Sequence, residues 1–489
     1  MIRVPLTVLI LALQGAAIRF EPIQPNLFAA GGAFVNAWAD YDGDLAVDVF
    51  VGFNGATPSR LYRNELRAAG TFRDVAPLVG LAESRAVRAA AWADFDEDGR
   101  MDLLVGYTPG SSSLLKLYRN SGSVMAATAG SNGSFVDVTD AVGLTVMTGA
   151  VRQPAFVDFD GDGDLDLFVA FRDRPNAMYR NTGGRFVDVA SEVGLADARK
   201  SVGAVWFDYD QDGDLDLYVA NMDGDPNGLF RNDKGRFVDV AAAAGVAWGG
   251  RAANDPSSGT VRPCVADVNN DGLFDIFTAN YGPNGLFLAQ RDHTFEDVSR
   301  AWGVAIDGHY DTCIFGDVNN DGRVDVYVNG TITGGVQYPD YLLINTGTRF
   351  EDRTPPDVRA LNADHGAAWV DADGDGNLDL ALTGSQPTGM HSVLRNLTPG
   401  PDARSIRVRT AGPRAWPQAG AEVRAYQRGT RRLIASSLVD SGSGYDMQNA
   451  LPVHLGIGSL KESEVAIEVI WPALGLRKPA VGLIWKPPS

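Results

Sequence analysis

The residues best suited to chemistry in this 489-residue chain are aspartates set in one recurring nonapeptide. It occurs seven times: DYDGDLAVD from Asp40, DFDEDGRMD from Asp94, DFDGDGDLD from Asp158, DYDQDGDLD from Asp208, DVNNDGLFD from Asp267, DVNNDGRVD from Asp317 and DADGDGNLD from Asp371. Positions 1, 3, 5 and 9 offer side-chain oxygens. They are Asp40, Asp42, Asp44 and Asp48 in the first copy, then Asp94, Asp96, Asp98 and Asp102, then Asp158, Asp160, Asp162 and Asp166. Next come Asp208, Asp210, Asp212 and Asp216, then Asp267, Asn269, Asp271 and Asp275. The last two sets are Asp317, Asn319, Asp321 and Asp325, and Asp371, Asp373, Asp375 and Asp379. Carboxylates at alternate positions of a tight loop converge on one point, and a set of hard oxygens with no His or Cys selects Ca²⁺ over zinc or copper. Mg²⁺ fits less well, because it holds to stricter octahedral geometry and keeps its waters.

Position 6 is Gly in six copies, where the chain must turn sharply, and Leu45 in the first, which makes that loop the weakest expected site. Position 8 is apolar in all seven, an anchor for plugging the loop into a core. One such loop alone reads equally well as an Asx-type turn without metal. Repetition decides, because 26 clustered aspartates without cations would repel one another. Up to seven structural Ca²⁺ ions would bring the formal charge of -19 to about -5.

The loops need elements to hold them. Their starts are 50 to 64 residues apart, and each unit repeats more than the loop. A short apolar run precedes it, with Trp38, Trp92, Trp206 and Trp369 two residues ahead of the first Asp in four copies. Runs such as VFVG and LYVA follow, then Leu61-Tyr62-Arg63-Asn64 and its equivalents, then a Phe-led run such as Phe72-Arg73-Asp74-Val75. Four short strand-like runs bounded by Gly, Asn and Asp describe a four-stranded antiparallel sheet. The expected fold is therefore all-β: a seven-bladed β-propeller of four-stranded blades over residues 18–400, followed by a small β-domain over 401–489. A linear solenoid is the rival architecture. The last unit lacks a Phe-led strand, and Arg19-Phe20-Glu21-Pro22-Ile23 near the start supplies one, which would close a ring.

Residues 1–17 read as a signal peptide: Arg3, an apolar stretch from Val4 to Leu13, and small residues at Gly15-Ala16-Ala17. The expected destination is secretion, extracellular or periplasmic, with no membrane span. An acidic balance of 61 Asp+Glu against 42 Lys+Arg argues against a nucleic-acid partner. Cys264 and Cys313 lie three and four residues ahead of Asp267 and Asp317, an offset that puts them on opposite faces of in-register strands. Two buried thiols are expected rather than a disulfide.

The repeats resemble the FG-GAP/VCBS repeats of extracellular propellers, including the calcium-loop blades of integrin α-subunits. The tail carries Gly442-Ser443-Gly444-Tyr445, Gln448-Asn449, His454-Leu455-Gly456-Ile457-Gly458 and Trp471-Pro472, and resembles the ASPIC/UnbV domain of the cartilage acidic protein family. One departure is Ala473-Leu474-Gly475, where that family more often has a small polar residue and Gly directly after the Trp-Pro pair. The resemblance implies a calcium-stabilised extracellular binding or adhesion module for a protein, matrix or glycan ligand.

The segments before the inner strands should open on the central channel. Arg88, Arg152, Arg262 and Tyr310 are the candidate ligand-binding residues there, and His309, Asp311 and His365 are candidates for proton transfer. The alternative function is an enzyme at the channel mouth, a cyclase or lyase of a secondary metabolite. No nucleophile–base motif or cofactor fingerprint accompanies it. His454 reads as a packed structural residue.

Overall fold

The computed structural model describes residues 17–489 apart from 111, 123–133, 362, 387–388, 390, 399, 401, 410–418, 440–446, 449–452, 473–475, 480–483 and 486–489. The expected leader, except Ala17, lies outside the described residues, as do Gly442 to Tyr445, Asn449 and Ala473 to Gly475 of the tail motifs, and Pro399 and Pro401 on either side of the expected domain boundary.

Among the described residues, seven four-stranded antiparallel units follow one another along the chain. In the first, Ala33–Ala39 pairs with Asp48–Phe53, then Arg60–Glu65, then Thr71–Asp74. Each nonapeptide joins an innermost strand to the second strand of its blade. The last blade has three consecutive strands, Ala367–Val370, Asp379–Leu382 and Ser392–Asn396, and its fourth is Phe20–Pro22 from the start of the chain, with Phe20 opposite Asn396. The expected closure therefore forms, and a linear solenoid does not.

The core confirms the ring. Apolar clusters lie between neighbouring blades, and one of them joins Trp369 and Leu380 of blade 7 to Trp38 and Val49 of blade 1. Sheets whose two faces are both covered in this way read as short apolar runs, which is why VFVG and LYVA carry so few polar residues. The second strand of blade 5 extends to Pro283 and pairs with the innermost strand of blade 6, Tyr281 opposite His309, so these two blades form one larger sheet. Blade 6 also carries an extra hairpin, Ile332–Thr333 with Val336–Gln337.

Cys264 and Cys313 form a disulfide, with Cα atoms 6.1 Å apart, which corrects the expectation of two thiols. Each cysteine is paired within its own blade, to Phe277 and Val328. The offset argument considered neighbours within one sheet. Adjacent blades pack face to face, so residues on opposite faces of successive inner strands are the ones that meet.

Among the described residues, the tail forms two small sheets. One runs Leu433–Leu438, Glu422–Gln427, Val465–Trp471, Leu476–Pro479, and the other sets Arg404–Val408 between Val453–Gly458 and Ile484–Trp485. A further tail strand, Met447–Gln448, runs parallel to Asn36–Ala37 on the inner strand of blade 1. Among the described residues, no helix is long and apolar enough to cross a membrane.

Candidate metal loops and channel mouth

All seven nonapeptides fold the same way. The N–H of position 6 donates to Oδ2 of the position-1 Asp at 2.7–3.1 Å. The N–H of position 7 donates to Oδ1 of the position-5 Asp at 2.8–3.0 Å. Position 6 has positive φ throughout, from 86° to 103° in the six glycines, and Leu45 is forced to 73°. A left-handed leucine is strained, which sets this loop apart from the six that have glycine there. Position 4 is left-handed too, at Gly43, Glu97, Gly161, Gln211, Asn270, Asn320 and Gly374, a requirement the sequence pattern did not signal.

The position-9 aspartates are buried, and both of their oxygens accept backbone N–H groups. Oδ2 takes position 2 of its own loop. Oδ1 takes the last residue of the third-strand motif, Asn64 in blade 1, at 2.7–2.9 Å. This aspartate therefore staples the loop to the third strand.

In five blades the carboxylates of positions 1, 3 and 9 come within 4.8 Å of one another: Asp40, Asp42 and Asp48; Asp94, Asp96 and Asp102; Asp158, Asp160 and Asp166; Asp208, Asp210 and Asp216; Asp371, Asp373 and Asp379. Asp44, Asp98, Asp162, Asp212 and Asp375 at position 5 stay out of these sets and cap their own turns. In blades 5 and 6 position 3 is the amide of Asn269 or Asn319, so Asp267 and Asp275, and Asp317 and Asp325, have no third carboxylate in that place.

A second pattern accompanies this one. Arg63, Arg180 and Arg395 on the third strands reach Asp42, Asp160 and Asp373 at 2.9, 2.9 and 2.7 Å. Arg119 and Arg231 also attract Asp96 and Asp210 through space, Arg231 while paired with Asp233. Where position 3 is Asn269 or Asn319, the arginine is replaced by Leu288 or Ile344. Each loop thus trades one carboxylate and its guanidinium together.

Burial, with mutual repulsion adding to it, pushes Asp94, Asp267 and Asp371 up to about 6, Asp158, Asp208 and Asp317 to about 7, and Asp102 and Asp166 to about 8. Asp48, Asp216, Asp275, Asp325 and Asp379 are pushed well above the ordinary carboxylate range for the same reason. Oδ1 of Asp96, Asp160 and Asp371 is buried without a hydrogen-bond partner. Buried carboxylates are normally paired or coordinate a metal, so this oxygen-only donor set fits a hard divalent cation.

The tail packs on the loop face. Arg407 pairs with Asp371, and Arg409 Nη2 lies 3.2 Å from Asp40 Oδ2. Ser436 Oγ donates to Asp267 Oδ2 at 3.3 Å, and Arg424 donates to the Gly272 carbonyl at 3.2 Å. His454 Nε2 sits 3.1 Å from the Gly376 carbonyl, which gives it the structural role expected. Gly456 lies so close to Asp317 that a Cβ there would meet its Oδ2.

At the opposite end of the channel, six inner strands carry a register irregularity at equivalent positions, which re-aims Phe34, Arg88, Arg152, Val202, Val261 and Asp311. Three of the candidates meet there. His365 Nδ1 lies 3.3 Å from Asp311 Oδ2, and its Nε2 lies 3.2 Å from Arg88 Nη1. Phe34 packs edge-on against the same imidazole at 4.6 Å. His309 stands apart, stacked between Tyr281 and Tyr338 at 4.2 and 4.6 Å. Arg152 donates to its neighbour's carbonyl, that of Val151.

Two candidates are placed elsewhere. Tyr310 is buried at 1% exposure in the core between blades 5 and 6, because the irregularity beside it turns Asp311 rather than Tyr310 toward the axis. Arg262 is buried beside a 140 Å³ cavity walled on one side by Ala435 to Leu438 of the tail, not at the mouth.

The FG-GAP-like repeat family matches residues 18–105, 158–219, 208–276 and 267–328, together just over half of the chain. The chain belongs to the FG-GAP-like repeat family. Human cartilage acidic protein 1 is 26% identical over 474 residues, covering 88% of this chain and 67% of that protein. The relationship expected from the motifs is thus borne out. Among solved structures, a lectin from Agrocybe aegerita that recognises non-reducing terminal N-acetylglucosamine is 18% identical with a TM-score of 0.42, covering 76% of this chain and 87% of its own. Rhamnogalacturonan lyase YesW is 12% identical with a TM-score of 0.42, covering 89% and 80%.

Proposed function

We propose that this FG-GAP-repeat protein is a secreted, calcium-stabilised binding module, residues 18–400 forming the propeller and 401–489 a small domain seated on its loop face. The observation that carries the reading is the sevenfold loop: buried carboxylates held in one geometry, five sets of them within 4.8 Å. Their cost without cations is relieved by Ca²⁺, with the side chains of positions 1, 3 and 9 as ligands and position 5 joining by turning its Oδ2 inward, away from the side chains that now hold it in loops 2, 5, 6 and 7. The metal supplies charge and cross-linking, and no chemistry. A Cys264–Cys313 disulfide fits an oxidising compartment, in keeping with the apolar leader.

The ligand face in this reading is the mouth away from the tail, where Arg88, Asp311 and His365 stand beside Phe34 and the Tyr281–His309–Tyr338 stack. Convergent polar groups next to aromatic faces suit a protein side chain or a sugar. A second reading, an enzyme at this mouth, is favoured by the Asp311–His365 pair, which has the arrangement of a base and the group that orients it. The calcium-loaded protein, screened on glycan arrays and immobilised matrix proteins, should bind a target that Arg88→Ala with His365→Ala abolishes. A target bound equally by that variant would move the ligand site elsewhere. Turnover lost in His365→Asn with binding intact would establish the enzyme instead.

A further inference from the structure

We propose that Arg407 and Arg409 are counter-cations that the tail supplies to the metal loops of blades 7 and 1, so that tail docking and metal occupancy of these two loops oppose each other. The inference rests on the calcium reading above and adds a rank order to the sites. Arg407 and Asp371 are both nearly buried, at 10% and 6% side-chain exposure, and Asp40 beneath Arg409 is at 6%. Both guanidiniums meet position-1 carboxylates; water screens the Arg407 pair little and the Arg409 pair, whose arginine is 32% exposed, more.

The surroundings of these two loops differ from those of loops 2, 3 and 4. Around loop 7, Arg395 pairs with Asp373, and Arg67 donates to the carbonyls of Asp373 and Gly374 at 3.2 and 2.7 Å. With Arg407, three guanidiniums face that loop's four aspartates. Loop 1 has Arg63 and Arg409 against four aspartates and the strained Leu45. Loop 2 has Arg100 on Asp98 and Arg119 near Asp96, loop 3 has Arg180 on Asp160 and loop 4 has Arg231 near Asp210, so their arginines meet position-3 or position-5 acids, whereas Arg407 and Arg409 meet position 1.

A guanidinium about one ligand shell from a divalent ion weakens its binding by roughly tenfold, even at a water-like dielectric. Linkage makes the effect reciprocal: ions entering loops 7 and 1 loosen the arginines' hold on the propeller by the same factor.

The test is a calcium titration of the full chain by chelator competition, with bound metal counted by mass spectrometry. The wild type should show about two sites roughly tenfold weaker than the rest. Arg407→Gln with Arg409→Gln should tighten those two sites by roughly that factor, whether or not its tail stays docked, and Arg407→Lys with Arg409→Lys should keep the wild-type isotherm. An unchanged or weakened isotherm in the glutamine variant overturns the proposal. Absence of calcium binding in the wild type would instead overturn the calcium reading itself, and the two failures are distinct.

Discussion

Asn64 Nδ2 donates to the carbonyl of Ala372 at 2.7 Å, joining residues 308 apart in the chain across the seam where the ring closes. The same nitrogen donates to Val47 within its own blade at 3.0 Å. The contact recurs from blade to blade: Asn120 to Tyr41, Asn181 to Phe95, Asn232 to Phe159, Asn345 to Val268 and Asn396 to Val318. Six of the seven interfaces carry it, and Ala289 stands where blade 5 would supply the next asparagine. Every loop but the fourth is thereby tied to the blade that follows it.

Asn64→Ala strands two buried carbonyls and should lower stability by about 1–3 kcal/mol. Asn64→Asp, which also points a carboxylate at both carbonyls, should cost more than alanine. Urea unfolding of the calcium-loaded protein reads both values. Equal stability of all three proteins would mean the seam is held by apolar packing alone.

The paired exchange of charges predicts strong coupling in blade 3. Arg180→Leu removes the cation beside Asp160, and Asp160→Asn leaves the guanidinium with only the more distant Glu192 at 3.9 Å. The double variant recreates the amide–aliphatic pair of blades 5 and 6. It should be more stable than the sum of the single changes by about 0.5–3 kcal/mol in a double-mutant cycle. Simple additivity would show that the two side chains act independently.

Metal-free protein should respond to pH in the unusual direction. Asp94, Asp158 and Asp102 are raised to about 6, 7 and 8 by burial. A carboxyl whose folded pKa is raised stabilises fully below its unfolded value near 4, and the contribution is lost as pH rises through the folded value. In chelator the melting temperature should fall between pH 5 and pH 8. In excess calcium protons compete with the ion, so over the same range it should rise. Both should be followed by scanning calorimetry, and parallel slopes would contradict the assignment of these carboxylates to metal.

The Cys264–Cys313 bridge closes a loop of sequence separation 49, worth about 4 kcal/mol on the chain-entropy account. Denatured, unreduced protein should titrate no thiol, and reduced protein two. Cys264→Ser with Cys313→Ser should lower stability by about that amount, measured by urea unfolding. Two titratable thiols before reduction would restore the buried-thiol expectation.

The periodicity made much of this legible. Seven copies of one nonapeptide fixed the loops, and the displaced Phe-led strand at Phe20 showed how the ring closes. Asn64 was in view within Leu-Tyr-Arg-Asn, but its partner belongs to the neighbouring blade, and a repeat shows what recurs without showing which copy it touches. The cysteines were misjudged for the same reason. Tyr310 and Asp311 were indistinguishable because an inner-strand irregularity shifts the two-residue alternation by one, and nothing local marks where it falls. Position 5 looked like a ligand by spacing, whereas its Oδ1 is committed to the turn.

Thermal unfolding of the mature protein in millimolar calcium and in excess chelator tests the central claim most directly. Seven sites held at about ten times their Kd contribute on the order of 10 kcal/mol. For a propeller of this size chelation should lower the melting temperature by about 10 °C or more. An unchanged melting temperature would contradict the account, leaving the aspartate loops as turns that hold themselves without metal.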